Sequence, residues 1–206
     1  MSVNRQKGDR RSNRTRRSLS AALVDLIKEK RFDDITIQNV LDRADVGRST
    51  FYAHFRDKED LFQKDWERFL EDYATQFQWD QLSSGKFAPI EPLFAHLADF
   101  QHFYQSLVRS RKTDSLFKSG IAFLAIKLEI SLTSFFEGKQ QPAIPVPILA
   151  SFIANEIFGL LRWWLDSNMP YSPKRMDAVF HELMVPSLCA ALSVGVEEAV
   201  AAAVRK

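Results

Sequence analysis

The chain has 206 residues, 46% of them hydrophobic, with 17 Phe and 4 Trp but only 7 Gly. That is apolar bulk enough for a buried core, and too few glycines and turn clusters for an all-β fold, so the composition predicts long helices. The net charge of +2 is uninformative, but residues 1–17 carry Arg5, Lys7, Arg10, Arg11, Arg14, Arg16 and Arg17 against Asp9 alone, which leaves the remainder net acidic. Such an asymmetry suits a basic arm on a phosphate backbone, and equally a solvated tail. The single cysteine, Cys189, excludes an intramolecular disulfide and a CxxC zinc site, and reads as a buried structural thiol. The N-terminus lacks the apolar run of a signal peptide, and the longest uncharged stretch, 140–155, is short and interrupted by Pro142, Pro145 and Pro147. A soluble, cytoplasmic protein with no membrane partner is expected.

In chain order, residues 1–12 read as a disordered basic arm. A helix is predicted from about Asn13 to Lys30, with Leu19, Ala22, Leu23, Leu26 and Ile27 on one face. Thr36 is a good N-cap for a short second helix with Ile37, Val40 and Leu41 turned inward. Asp45-Val46-Gly47 makes a tight turn into a third helix, roughly Arg48 to His54. Asp57 then caps a long helix, with Glu59 and Asp60 in its first turn and Leu61, Phe62, Trp66, Phe69, Leu70, Tyr73 and Phe77 at helical spacing. Further helices are expected near 89–110, 113–138, 146–167 and 172–192, broken by Pro142–Pro147 and Pro170–Pro173. The domains are therefore read as the arm, 1–12; a helix-turn-helix domain, 13–60; a helical ligand-binding and dimerisation domain, 61–192; and a tail, 193–206.

The stretch Thr36 to Phe62 carries the function. Two short helices joined by three or four residues form a helix-turn-helix, whose second helix fits a major groove. Here it offers Arg48, Ser49 and Thr50 to base edges, where arginine grips guanine O6 and N7 through two hydrogen bonds. Tyr52, His54 and Lys58 can donate to phosphate oxygens, while Phe51 and Phe55, four apart, anchor the helix in the core. Thr36 joins the phosphate set, with help from Arg16 or Arg17.

This segment closely resembles the DNA-binding domain of the TetR family of bacterial regulators. The likeness rests on Thr36, the Ala44-x-Val46 turn, Phe51-Tyr52-x-His54-Phe55 and Lys58-Glu59-x-Leu61, and covers about Arg16 to Phe62. It implies an all-α protein: an N-terminal three-helix helix-turn-helix domain plus a C-terminal helical bundle domain that dimerises. It also implies base contacts from Arg48, Ser49 and Thr50 and phosphate contacts from Tyr52, His54 and Lys58. Asp45 stands where Gly is usual and Gly47 where a capping Ser or Thr is common.

The second half is expected to be a homodimer's scaffold. Residues 148–165 are apolar on more than one face, so the helix is buried on several sides. The family dimerises through its last two long helices, which implies an interface from Phe152, Ile157, Leu160, Leu161, Trp164, Val179, Phe180 and Leu183. Two readers at fixed separation call for a near-palindromic operator in double-stranded DNA. The family's ligand site lies among the middle helices, where Trp66, Phe69, Tyr73, Phe100, Phe103, Tyr104, Phe117 and Phe123 are candidates for a small, largely apolar effector that releases a repressor. Phe158-Gly159-Leu160-Leu161-x-Trp163-Trp164 followed by Ser172-Pro173 also resembles regulators linked to dihydroxyacetone kinase systems. That likeness implies the alternative of a regulator or activator that docks a protein co-regulator.

Other classes fit less well. His96, Asp99 and His102 fan over about 120° of one helix, which converges poorly on a metal ion. The seven glycines never lie within five residues of one another, which excludes phosphate-cradling loops and a GxSxG elbow. Neither an enzyme nor a cofactor is expected.

Overall fold

A computed structural model of the protein describes residues 2–101, 103–104 and 113–192, and every regular element among them is helical. The chain divides into two compact units, 1–68 and 69–206.

In the first unit, helix α1 spans Ser2–Glu29. The sequence expectation of a disordered arm over 1–12 and a helix only from Asn13 is corrected, because the backbone is helical from Ser2. No proline interrupts residues 2–13, and Arg, Lys and Gln are good helix formers. A helix anchored by the buried Leu19, Ala22, Leu23, Leu26 and Ile27 extends back over them without a second nucleation cost. A 3-10 turn, Phe32–Asp34, leads to α2, Ile37–Ala44. Thr36 and Asn39 form a reciprocal capping box there: Thr36 Oγ1 accepts from the Asn39 amide at 3.2 Å, and Asn39 Oδ1 accepts from the Thr36 amide at 3.1 Å. Asp45 ends α2 in the left-handed region, at φ 52°. Helix α3, Arg48–Tyr52, starts after Gly47, which offers no capping side chain. Helix α4, Lys58–Ala74, is capped by Asp57, whose Oδ1 accepts from the Asp60 amide at 2.7 Å. Phe77 falls outside this helix, contrary to its spacing. The unit's core gathers Leu19, Leu23, Ile35, Val40, Phe51 and Leu61, all essentially inaccessible.

The boundary between the units falls within α4. In the second unit, a 3-10 turn, Trp79–Ser84, closes on Gly85 at φ 88°, and α5 spans Ile90–Asp99. Helices α6, Thr113–Phe136, α7, Val146–Asp166, and α8, Pro173–Leu192, follow. The expected tail, 193–206, and His102 lie outside the described residues. Helices α6 and α7 run antiparallel, with Phe117 against Phe158 at 5.4 Å and Asp114 paired with Arg162. By length and composition alone, α7 and α6 over Asp114–Phe136 are apolar enough to cross a membrane, which the uncharged stretch 140–155 did not indicate. Half of α7's apolar window is nevertheless buried within the chain, as in a core helix. Trp164 is buried and donates its indole N–H to the Tyr171 carbonyl at 2.9 Å, clamping the α7–α8 connection. Cys189 is buried on α8, and burial pushes its thiol up.

Replacing Thr36 by Ala removes the side-chain half of the capping box, and about 1 kcal/mol of stability is expected to be lost. Denaturant unfolding followed by circular dichroism checks this; an unchanged midpoint would show that the cap contributes nothing.

Candidate nucleic-acid interface

Helix α3 has only five residues, so its setting is decided by what it buries. Phe51 is 0% exposed and Phe55 3% exposed; they pack on each other at 5.8 Å. With that side turned in, Arg48, Ser49 and Thr50 are exposed, Tyr52 is 51% exposed and His54 is half-buried. The expected base-edge and phosphate side chains therefore share the outward side of one short helix and the turn after it, and Arg16 and Arg17 are exposed on α1.

Each outward group has a definable state. Thr36 uses an oxygen lone pair in the capping box, so its O–H remains able to donate. Burial holds the His54 pKa below its usual value, with Arg16 and Lys64 pushing the same way, so the ring is neutral near pH 7. Arg48 Nη2 donates to Gln38 Oε1 at 3.0 Å, and Gln38 Nε2 donates to Asp42 Oδ1 at 2.7 Å. Lys64 donates to the His54 carbonyl at 3.2 Å and to Asp60 at 3.0 Å. The sequence reading missed Gln38 and Lys64. Their only signal was i,i+4 spacing to Asp42 and Asp60, which marks many surface pairs.

Lys58, expected in the phosphate set, has its ammonium turned to main chain. Its ammonium donates to the carbonyls of Phe32 and Ile35 at 2.7 Å each and to that of Asp33 at 3.3 Å, and it lies 4.8 Å from the Phe32 ring centre. An ammonium has three donors. All three are directed at main chain, so Lys58 ties the 3-10 turn before α2 to the start of α4.

In the second unit the candidate ligand residues separate into groups. Phe69 stacks on Tyr73 at 6.3 Å and on His96 at 4.6 Å, and His96 lies 5.0 Å from Phe100. Phe103 meets Tyr104 edge-on at 5.1 Å, Phe117 lies on Phe158, and Phe123 is half-buried beneath Lys127. Trp66 belongs to the first unit. The Tyr73 hydroxyl is buried without a hydrogen-bond partner among the described residues, and burial together with the charge of Asp177 pushes its pKa up. The sequence reading did not anticipate the buried polar pair Asp177 and His181. His181 Nε2 accepts from the Phe87 and Ala88 amides at 3.3 and 3.4 Å, so Nδ1 carries the proton and donates to the Asp177 carbonyl at 2.9 Å. Asp177 also accepts from the Glu91 amide at 3.3 Å and pairs with Lys86 at 3.0 Å, joining α8 to α5.

The expected dimer residues divide. Ile157, Leu161, Trp164 and Phe180 are buried in the chain's own core. Phe152 is 43% and Leu183 65% exposed, with Leu160 and Val179 half-buried.

Residues 19–64 match the model of bacterial regulatory proteins of the tetR family, and residues 88–185 match that of a transcriptional regulator C-terminal region. Together they span more than two thirds of the chain. YxbF, an uncharacterized HTH-type transcriptional regulator of Bacillus subtilis, is 41% identical over 56 residues, 27% of this chain and 15% of that protein. The dhaKLM operon transcriptional activator DhaS of Lactococcus lactis is 24% identical over 97 residues, 45% of this chain and 48% of that protein. The match thus spans less than half the length of either curated relative. Among solved structures, the dihydroxyacetone kinase operon activator DhaS superposes with a TM-score of 0.61 at 16% identity, over 84% of this chain and 95% of that one. A protein from Syntrophomonas wolfei described as a TetR-family transcriptional regulator superposes with a TM-score of 0.60 at 18% identity, over 88% and 97%. At these identities the likeness shows the fold.

Replacing Lys58 by Met leaves the three carbonyls without their charged donor, and a loss of about 1–3 kcal/mol of stability is expected. The slope of DNA affinity against salt should stay unchanged. A stable variant with a shallower slope, measured by salt titration of binding, would return Lys58 to the phosphate set.

Proposed function

The chain belongs to the TetR family of bacterial transcriptional regulators, and we propose on that premise that it is a homodimeric, sequence-specific repressor of a near-palindromic operator. The observation that supports this most is the setting of α3: Phe51 and Phe55 are buried, and Arg48, Ser49, Thr50 and Tyr52 face out. Arg48, Ser49 and Thr50 read base edges. Thr36, Tyr52, His54, Arg16 and Arg17 hold phosphates and fix the register. Residues 13–60 act as the DNA-binding domain and 61–192 as the domain that senses an effector and dimerises. The protein acts in the cytoplasm and is not an enzyme.

The partner copy docks on the outer face of α7 and α8. Ile148, Phe152 and Trp163 are exposed along one side of α7, and Leu183 is exposed on α8. Gly159 lies on the same side, and among the described residues nothing outside its own helical turn stands within 4 Å of where its Cβ would be. A glycine in a helix interior costs about 1 kcal/mol relative to alanine, and nothing among the described residues requires one there. A closely approaching partner helix accounts for it.

The effector is a small molecule held among the rings around Phe69, Tyr73 and Phe100. Its binding shifts the population away from the DNA-competent spacing of the two readers. A second reading is favoured by the likeness to DhaS, which is named as an activator: a protein co-regulator docks on the second unit in place of a ligand. The exposed Ile126 and Ile130 on α6 supply apolar surface for it.

Selection of binding sites from a random duplex pool with the purified full chain tests the proposal. Wild type should recover a two-fold symmetric site. Arg48→Ala should lose preference at one base pair of each half-site, at about 1–3 kcal/mol per contact. Recovery of no specific sequence would sink the stand-alone repressor and favour the co-regulator reading.

A phosphate beside His54 stabilises the imidazolium, so binding raises a pKa that the free protein holds low. The complex then binds more protons than the free protein, and affinity should rise as pH falls from about 8 towards about 6. His54→Gln should flatten that dependence in fluorescence-anisotropy titrations; an unaltered pH slope would exclude His54 from phosphate contact.

A further inference from the structure

From the hydrogen-bond chain Asp42–Gln38–Arg48 we infer that Gln38, on α2, is a positioning residue that sets the base specificity of Arg48 without touching DNA itself. The inference rests on the reading of Arg48 as a base reader.

The three residues come from two helices. Gln38 and Asp42 are one turn apart on α2, on its exposed side, and Arg48 opens α3 across the left-handed turn at Asp45. Asp42 can only accept, so its carboxylate oxygen at 2.7 Å fixes which end of the Gln38 side chain is the amide NH2. The carbonyl end is thereby presented to Arg48, which donates to it from Nη2 at 3.0 Å. Reversing the Gln38 amide would put a carbonyl against a carboxylate and an NH2 against a guanidinium, so both neighbours enforce one orientation.

The consequence for Arg48 follows from its chemistry. A guanidinium carries five N–H donors in a rigid planar fork, and the bond to Gln38 uses one. Guanine recognition needs two parallel donors from one edge of that plane. An exposed arginine otherwise samples many rotamers, and that freedom is lost on docking. A neutral acceptor on the neighbouring helix restricts the plane beforehand while leaving donors for a base. An acidic residue at position 38 would also accept from Arg48, but its charge would face Asp42 and the approaching phosphates. The sequence uses an amide there and keeps the carboxylate one turn further back.

Binding-site selection from a random duplex pool, run on the full-length wild type, Arg48→Ala, Gln38→Met, Gln38→Glu and the Gln38→Met/Arg48→Ala double variant, tests this, with unfolding curves confirming that each is folded. Gln38→Met should weaken base preference by several-fold at the same base pair as Arg48→Ala, and by less. The double variant should show the Arg48→Ala profile with no added change. Gln38→Glu should keep the preference while lowering affinity for all sequences alike. If Gln38→Met changes a different base pair, Gln38 is itself a reader and the inference fails. It also fails if Gln38→Met leaves the profile intact while Arg48→Ala alters it. Should Arg48→Ala alter no position, the base-reading role of Arg48 is lost and the inference falls with it. Should Gln38→Met not fold, Asp42→Ala, which frees the Gln38 amide, must shift preference at the Arg48 position or the inference fails.

Discussion

The burial of Phe51 is the constraint on which the first unit's function depends. A helix of five residues makes too few internal hydrogen bonds to hold itself, since nucleation is unfavourable at that length. The rotational setting of α3 is therefore the one that puts Phe51 into the core among Leu19, Leu23, Ile35, Val40 and Leu61. Phe55, four residues on, fixes that setting at a second point. The outward display of Arg48, Ser49, Thr50 and Tyr52 is the geometric complement of those two burials.

The surrounding contacts keep that setting from drifting. The left-handed Asp45 turns the chain sharply enough for α3 to follow α2 within three residues. Lys58 binds three carbonyls between α1 and α2 from the first residue of α4. A compact ammonium with three rotatable donors suits three converging carbonyls, where the planar fork of an arginine would not. Lys58 is a cation six residues beyond the end of α3, yet its donors point inward to main-chain carbonyls. Residue type and location suggest a phosphate contact, and hydrogen-bond geometry adds a brace to the fold.

Local chemistry was legible in the sequence. Thr36 and Asp57 cap the helices they were expected to cap, because a side-chain oxygen before a helix start has few other uses. The pair Phe51 and Phe55 points inward as i,i+4 spacing suggests, because the Phe55 amide still donates to the Phe51 carbonyl at 2.9 Å and the helical turn carries past the end of α3. The start of α1 was not legible. Residues 2–12 lack an apolar stripe, and a reading by periodicity stops where the stripe stops, although the backbone does not. Gln38, Asp177 and His181 were also hidden. Each takes its meaning from a partner on another element, at a distance along the chain that no local pattern encodes.

The face that α7 turns outward shows the same limit in its strongest form. A helix with apolar residues on nearly all sides has no stripe to say which side is inside. Antiparallel packing of α6 fixes one side through Phe117 and Phe158, and the anchoring of Trp164 on Tyr171 fixes the rotation. Ile157 and Leu161 then fall inward, while Phe152 and Trp163 are left outside. Apolarity beyond what the protomer core absorbs is a demand on the surroundings, since large side chains such as these gain by leaving water. The inward set is decided within one chain, and the outward set is the apolar surface that chain does not cover itself.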